Sequence, residues 1–310
     1  MKRFAFVMDP LEKLDLPWDT SLCLLRKLHA RGHETYLFLP ASLSLEGGKV
    51  RGRGRQISPR GEIGDRHGPE KAFDLAGFDA VFIRKDPPFD QSYLALTYLL
   101  GPLVKETVVI NHPQGIRNAN EKLFGLRFGR WTPATLVSSD ADEILSFQRK
   151  IRSDLVIKPL YEKGGKGVFL LPRNRKGARR FLIQATRGGK DPVVAQKFIP
   201  VPKGDGDKRI LLWKGNILGA FERIPRAGEF RSNLSLGGRF SACGITKSEK
   251  ALVRDLKPAL LREGLHFVGI DVRGEKLIEV NVTSPAGLVE LDRLYGKEPA
   301  KKMILDLEKL

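Results

Sequence analysis

Two cysteines in 310 residues, Cys23 and Cys243, are too few and too far apart for a disulfide framework or a zinc site. That usage predicts a reducing cytoplasm. Long apolar runs are missing too: none approaches the ~20 residues that a membrane-spanning helix needs. The apolar stretch in MKRFAFVMDP stops at Asp9, which suits a buried first strand rather than a signal peptide. Acidic residues are scarce, 36 against 54 basic, and the net charge is +18. Such a balance calls for anionic partners, whether nucleic acid, an anionic surface or small anionic substrates. The basic stretches at 49–66 and 173–190 lack the aromatic interleaving of a single-strand binding platform, so solvated basic faces are the simpler reading.

Familiar catalytic signatures are absent as well. No Gly-Lys is followed by Ser or Thr, which excludes a Walker loop. Gly52 and Gly54 begin a dinucleotide fingerprint, but Ile57 stands at its third glycine. His29 and His33 lack the HExxH frame, and neither G-x-S-x-G nor a Cys–His arrangement offers a protein nucleophile.

What is present reads as an ordinary globular chain, 41% hydrophobic and 29% charged, long enough for two or three domains. Short apolar runs at 4–8, 34–39, 80–83 and 108–110, with helices at 20–31 and 91–105, predict a parallel α/β sheet over 1–119. Asp19 or Thr20 can cap the first helix, and Gly32 ends it. Arg84-Lys-Asp-Pro-Pro-Phe-Asp90 then forms a rigid polar loop at a strand's C-terminal edge, where open α/β sheets bind ligands. The texture changes from Asn120 onward. A short helix at 121–128, strands at 155–158, 168–171 and 193–198, and a helix at 174–186 predict an α+β unit. A hairpin over 209–223 turning at Lys214-Gly-Asn216, and a helix at 248–263, follow within 120–310.

Tyr161-Glu-Lys-Gly-Gly-Lys-Gly167 lies between two of these strands. Consecutive backbone N–H groups there, at Gly164 and Gly165 among them, can cradle phosphate oxygens, and Lys158 ends the preceding strand beside them. The segment 223–239, RIPRAGEFRSNLSLGGR, is basic and glycine-rich and suits a lid over anionic substrates. LIEVNVTSPAGLVE (277–290) places Glu279 and Asn281 on one face of a strand, which reads either as two hard oxygen ligands suited to Mg²⁺ or as the ordinary polar face of a hairpin. Asp271 ends the run before it. A three-residue turn over 274–276 would set Asp271 opposite Glu279, and a two-residue turn would face it away.

In this order the pieces resemble the ATP-grasp ligases. More narrowly, RKDPPFD (84–90), NEKLF (120–124), IKPL…GG (157–165), DGDKR (205–209), the 223–239 segment, FVGID (267–271) and E.NVTSP (279–285) resemble bacterial glutathione synthetases. The resemblance implies an α/β and α+β architecture, an ATP-grasp fold behind an N-terminal parallel α/β domain. It implies phosphate contacts from Lys122 and Lys158, an adenine edge from Gln196, Lys197, Phe198 and Ile199, and Asp207 at the ribose. Asp271, Glu279 and Asn281 would hold Mg²⁺, with Mn²⁺ as a substitute. Arg84, Arg223, Arg231, Asn233, Thr283 and Ser284 would receive γ-glutamylcysteine or glycine, while Arg209 and Arg239 would stabilise a phosphorylated intermediate. A soluble, cytoplasmic homo-oligomer acting on small molecules is expected. The chain departs from the pattern where relatives often begin the phosphate loop with Asp-Gly and this one has Tyr161-Glu-Lys, and where 199–205 is about one residue longer than in some members. Two alternatives stay open: an ATP-grasp ligase for another acid–amine pair, and a basic nucleic-acid-binding protein, which salt-sensitive binding without ATP turnover would reveal.

Overall fold

The computed structural model describes residues 1–15, 17–58, 68–162, 164–202, 205–296 and 298–310. The first sheet comprises β1 (Arg3–Met8), β2 (Glu34–Glu46), β3 (Lys49–Gln56), β4 (Lys71–Asp74), β5 (Ala80–Arg84) and β6 (Val108–Ile110), in the order β4-β3-β2-β1-β5-β6. β1, β2, β5 and β6 run parallel, as their unbroken apolar sequences require, and β3 and β4 extend the sheet antiparallel. Helix α1 (Thr20–Ala30) is capped by the Asp19 side chain, which accepts from Leu22 N at 2.8 Å. Helix α2 (Gln91–Leu99) stops short of the expected 91–105, because Gly101-Pro102 converts its end into a separate 3₁₀ turn. Gly52 and Gly54 have a packing role: a Cβ on either would come within 2.6 Å of Leu43 or Phe38. The basic stretch is therefore a β-excursion over 49–56; its remainder from 59 to 66 lies outside the described residues.

After α3 (Pro113–Asn118) the chain forms a 3₁₀ stretch, Phe124–Phe128, where an α-helix over 121–128 is expected from the sequence. A second, wholly antiparallel sheet follows: β7 (Thr135–Ser138), β8 (Leu155–Pro159), β9 (Phe169–Leu171) and β10 (Val193–Lys197), ordered β7-β10-β8-β9. Its apolar face packs on α4 (Ala141–Ile151) and α5 (Ala178–Ala185) in a small core of its own around Ile144, Ile157 and Leu182. The third sheet is β11 (Asp207–Trp213), β12 (Asn216–Ile224), β13 (Arg239–Ala242), β14 (Phe267–Arg273) and β15 (Lys276–Asn281), ordered β13-β12-β11-β14-β15. A Thr246–Glu249 capping box starts α6 (Lys247–Arg262), and α7 (Leu288–Tyr295) and α8 (Glu298–Leu307) close the chain.

Two larger cores join the first and third sheets, one running from Val7 and Ile83 to Leu256 and Val280, the other from Phe4 and Phe82 to Trp213 and Met303. Asn111 stitches them at the sheet edge. Its amide donates to the carbonyls of Phe267 and Val282, both at 2.7 Å, and accepts from Phe267 N at 2.8 Å. Among the described residues no helix is long and apolar enough to cross a membrane.

Candidate active site

The β14–β15 hairpin settles where its acids face. Gly274 and Glu275, with φ of 53° and 61°, form a two-residue turn that pairs Arg273 with Lys276. Such a turn alone would set Asp271 opposite Ile278. A bulge absorbs Ile278 instead, and Asp271 pairs with Glu279 across the ladder. The acids thus share one face, despite the shorter turn. The bulged residue is used as well: its carbonyl accepts from the Lys158 ammonium at 3.4 Å.

Asp271 is 2% exposed and sits between two arginines. Arg209 grips it through Nε at 2.6 Å and Nη2 at 3.0 Å, and Arg223 Nη2 reaches it at 3.0 Å. Burial pushes the Asp271 carboxyl up, but the two guanidinium groups outweigh that and hold it at about 2. Asn281 Nδ2 lies 3.3 Å from the same carboxylate. Glu279 is freer, with the Lys122 ammonium at 3.6 Å. Among the described residues no three His, Cys, Asp or Glu side chains cluster as a metal site, so a cation would draw on Asp271 and Glu279 with the Asn281 carboxamide. Two carboxylates and an amide oxygen are a hard donor set that suits Mg²⁺. That set fits the ion, with Asp271 already sharing its charge with two arginines.

A cavity of about 490 Å³ opens between the second and third sheets and reaches the C-terminal edge of the first. Lys158, at the end of β8, directs its ammonium to Gln196 Oε1 at 2.9 Å. Burial lowers the pKa of this ammonium against the pull of Glu279. Lys122 donates to the carbonyl of Glu162 at 2.6 Å, at the mouth of the glycine-rich loop. The loop touches the basic segment: Arg231 Nη1 donates to Gly165 O at 2.9 Å, and a Cβ at Gly165 (φ 76°) would meet Asn233 Oδ1 at 2.7 Å. Glu229 braces Arg231 at 2.6 Å, and its own carboxyl is held at about 2 by that side chain. Lys197, Phe198 and Ile199 line the cavity beyond Gln196, facing Asp207 on β11.

On the N-terminal side, Arg84 is 4% exposed and bonds Ser21 Oγ at 2.9 Å and Pro285 O at 3.1 Å, next to Thr283 and Ser284. Every site residue expected from the sequence lines this one cavity except Arg239. Arg239 is exposed at the first position of β13, paired with Ile224.

Three residues that motif reading passes over also belong here. Arg273, just before the hairpin turn, bonds Ile199 O and Asp207 Oδ1, both at 2.7 Å, and so ties the two cavity walls together. Glu121, inside the NEKLF motif, accepts through Oε1 from Val282 N, Thr283 N and Thr283 Oγ1 at 2.8, 3.0 and 2.8 Å, which fixes the Thr-Ser-Pro turn. Glu290, at the end of the 277–290 stretch, lines the cavity as well. The partners are distant in sequence, so spacing carries no signal of them. Burial raises the thiol pKa of Cys23 to about 12 and of Cys243 to about 11, so neither is a thiolate nucleophile at neutral pH.

Comparison with known proteins matches this arrangement along nearly the whole chain. Residues 2–117 match the family model of the prokaryotic glutathione synthetase N-terminal domain, and 121–296 that of its ATP-grasp domain. Glutathione synthetase of Synechococcus elongatus is 41% identical over 99% of this chain and 98% of its own, and that of Agrobacterium fabrum is 35% identical over 100% and 97%. Among solved structures, D-cycloserine synthetase shares the fold at 16% identity, with a TM-score of 0.66 over 98% of this chain and 99% of its own. With Lys122 and Lys158, the paired acids and the arginine cluster in one cavity of this fold, the chain belongs to the prokaryotic glutathione synthetases, ATP-grasp ligases that use ATP and a divalent metal to join γ-glutamylcysteine to glycine.

Proposed function

We propose that residues 1–119 form the substrate-side domain, that 120–310 form the ATP-grasp domain with a lid at 223–240, and that ATP occupies the cavity between the second and third sheets. The carrying observation is convergence. Lys122, Lys158, Arg209, Arg223, Asp271 and Glu279 come from six separate places in the sequence and line one cavity.

In this reading Lys122 and Lys158 bind the ATP phosphates, with the backbone of Gly164 and Gly165 cradling them. Gln196 to Ile199 present a polar strand edge to adenine, and Asp207 meets the ribose. Asp271, Glu279 and Asn281 hold Mg²⁺, or Mn²⁺ in its place; when bound, the ion neutralises phosphate charge. Arg84, Arg223, Arg231, Asn233, Thr283 and Ser284 receive the two co-substrates. The cysteinyl carboxylate of the peptide attacks the γ-phosphorus, the bond to the ADP oxygen breaks, and an acyl phosphate forms. Glycine's amine then adds to the acyl carbon, and the tetrahedral intermediate expels inorganic phosphate. Arg209 offsets the charge that develops in both steps, while the lid keeps water from the acyl phosphate. No protein nucleophile is required.

The deciding experiment is ADP release with Mg²⁺-ATP, comparing γ-glutamylcysteine plus glycine with other acid–amine pairs. Turnover only with another pair would overturn the substrate assignment and leave the ligase class intact. Glu279→Gln should shift the magnesium titration of activity to higher concentration, because one anionic ligand is lost. An unchanged titration removes Glu279 from the metal set. Arg239 is assigned to the closed lid, so Arg239→Ala should lower kcat by roughly 10²-fold, and a near-normal kcat would take it out of the mechanism. We further propose a cytoplasmic homo-oligomer, and sedimentation velocity decides its oligomeric state.

A further inference from the structure

Glu290 is 5% exposed, sits in the first turn of α7 and lines the cavity. Its Oε2 is buried and has no hydrogen-bond partner among the described residues. None of the roles above uses it. A buried carboxylate with an unsatisfied oxygen is costly, and such a group is kept where something else supplies its partner. Burial raises its pKa, with Arg209 and Arg223 pulling the other way.

Those arginines do not satisfy Glu290 themselves. Arg209 is committed to Asp271 through Nε and Nη2 and to Ala286 O through Nη1 at 3.2 Å. Arg223 is committed to Asp271 through Nη2. Its Nε, however, is buried and also lacks a partner among the described residues. One cavity wall therefore holds an orphan anionic acceptor and an orphan cationic donor. An ammonium satisfies the first and a carboxylate the second. An α-amino acid head carries both.

We propose that Glu290 receives the primary ammonium group of an amino-acid substrate, with Arg223 Nε taking the carboxylate of the same head. This rests on the ligase reading, in which two co-substrates bring that chemistry: glycine itself and the glutamyl end of the peptide. ATP has no such group, so the subsite discriminates between substrates. Glu290 then acts by charge, since a neutral group of the same shape holds an ammonium far more weakly.

The test varies each substrate separately in the wild type and in Glu290→Gln, which keeps the shape and removes the charge. The expected result is a rise of about 10-fold or more in the KM of one amine substrate, the scale of one charged hydrogen bond, with the KM for ATP unchanged. A rise for glycine assigns the subsite to the acceptor, and a rise for γ-glutamylcysteine assigns it to the glutamyl end. Glu290→Asp, which retains the charge, should recover part of the loss and serves if the first variant does not fold. Unchanged KM values for both amines overturn the proposal. So does a fall in kcat alone, which would mark Glu290 as support for α7. If the wild type does not turn over this pair, the ligase assignment fails separately, and calorimetric titration of each amino compound into wild type and Glu290→Gln still decides the subsite.

Discussion

Asp271→Ala is expected to lower the free energy of unfolding by about 3–5 kcal/mol, the range for removing one partner of a buried ion pair, and to lower kcat by roughly 10²-fold or more. Arg209 and Arg223, 9% and 7% exposed, share this one carboxylate. Without it the two nearly buried guanidinium groups lose the counter-charge they share. Denaturant titration at fixed pH measures the first effect and ADP release the second. A triple variant, Asp271→Leu with Arg209→Met and Arg223→Met, should regain most of the lost stability while staying inactive, because well-packed apolar groups replace buried ion clusters with little cost. An Asp271→Ala midpoint equal to wild type would show that the cluster is well solvated.

The second large effect has opposite signs for stability and function. Lys158→Met should raise the Kd for ATP roughly 10- to 100-fold, the loss of a charged hydrogen bond to phosphate, yet leave the nucleotide-free protein as stable as wild type or more so. The Lys158 pKa is lowered mainly by burial, which means that the folded state disfavours its charge. At neutral pH the protein carries that unfavourable term to keep a cation ready beside Gln196 and the Ile278 carbonyl. Met retains the stem and removes the charge. Thermal unfolding with and without ATP separates the two contributions: the variant should lose most of the nucleotide-induced shift in Tm. A variant less stable than wild type without nucleotide would mean that Lys158 serves the fold first.

Much of the N-terminal sheet was legible because its strands are continuous apolar runs; four of them pair in parallel, three at nearly the expected bounds, while β2 runs on past 39 to Glu46. Strand β7 and helix α4 have no counterpart among the elements predicted from the sequence, although Asp140 caps α4 through Asp142 N and Glu143 N. Strand β7 has only four half-buried residues and takes its identity from pairing with β10. Helix α7 begins inside the 277–290 segment and α8 lies beyond it, and their apolar faces gain meaning from the core around Trp213.

The sequence by itself determined the kinds of groups in the site and their order along the chain: one lysine in the NEKLF motif and one at a strand's end, a glycine loop, arginines in a polar segment, then acid, acid and amide. Those follow from local chemistry, which needs only neighbours. The tertiary structure alone decided which of them meet. Asp271 faces Glu279 because a bulge at Ile278 corrects a two-residue turn, a choice that pairing energy makes and composition does not reveal. Arg209 and Arg223 share one carboxylate because β11, β12 and β14 are adjacent, and Glu290 joins them because α7 packs back over the same sheet. Contacts between residues 40 to 200 positions apart depend on how the whole chain buries its apolar surface, and the local sequence at either end carries no record of them.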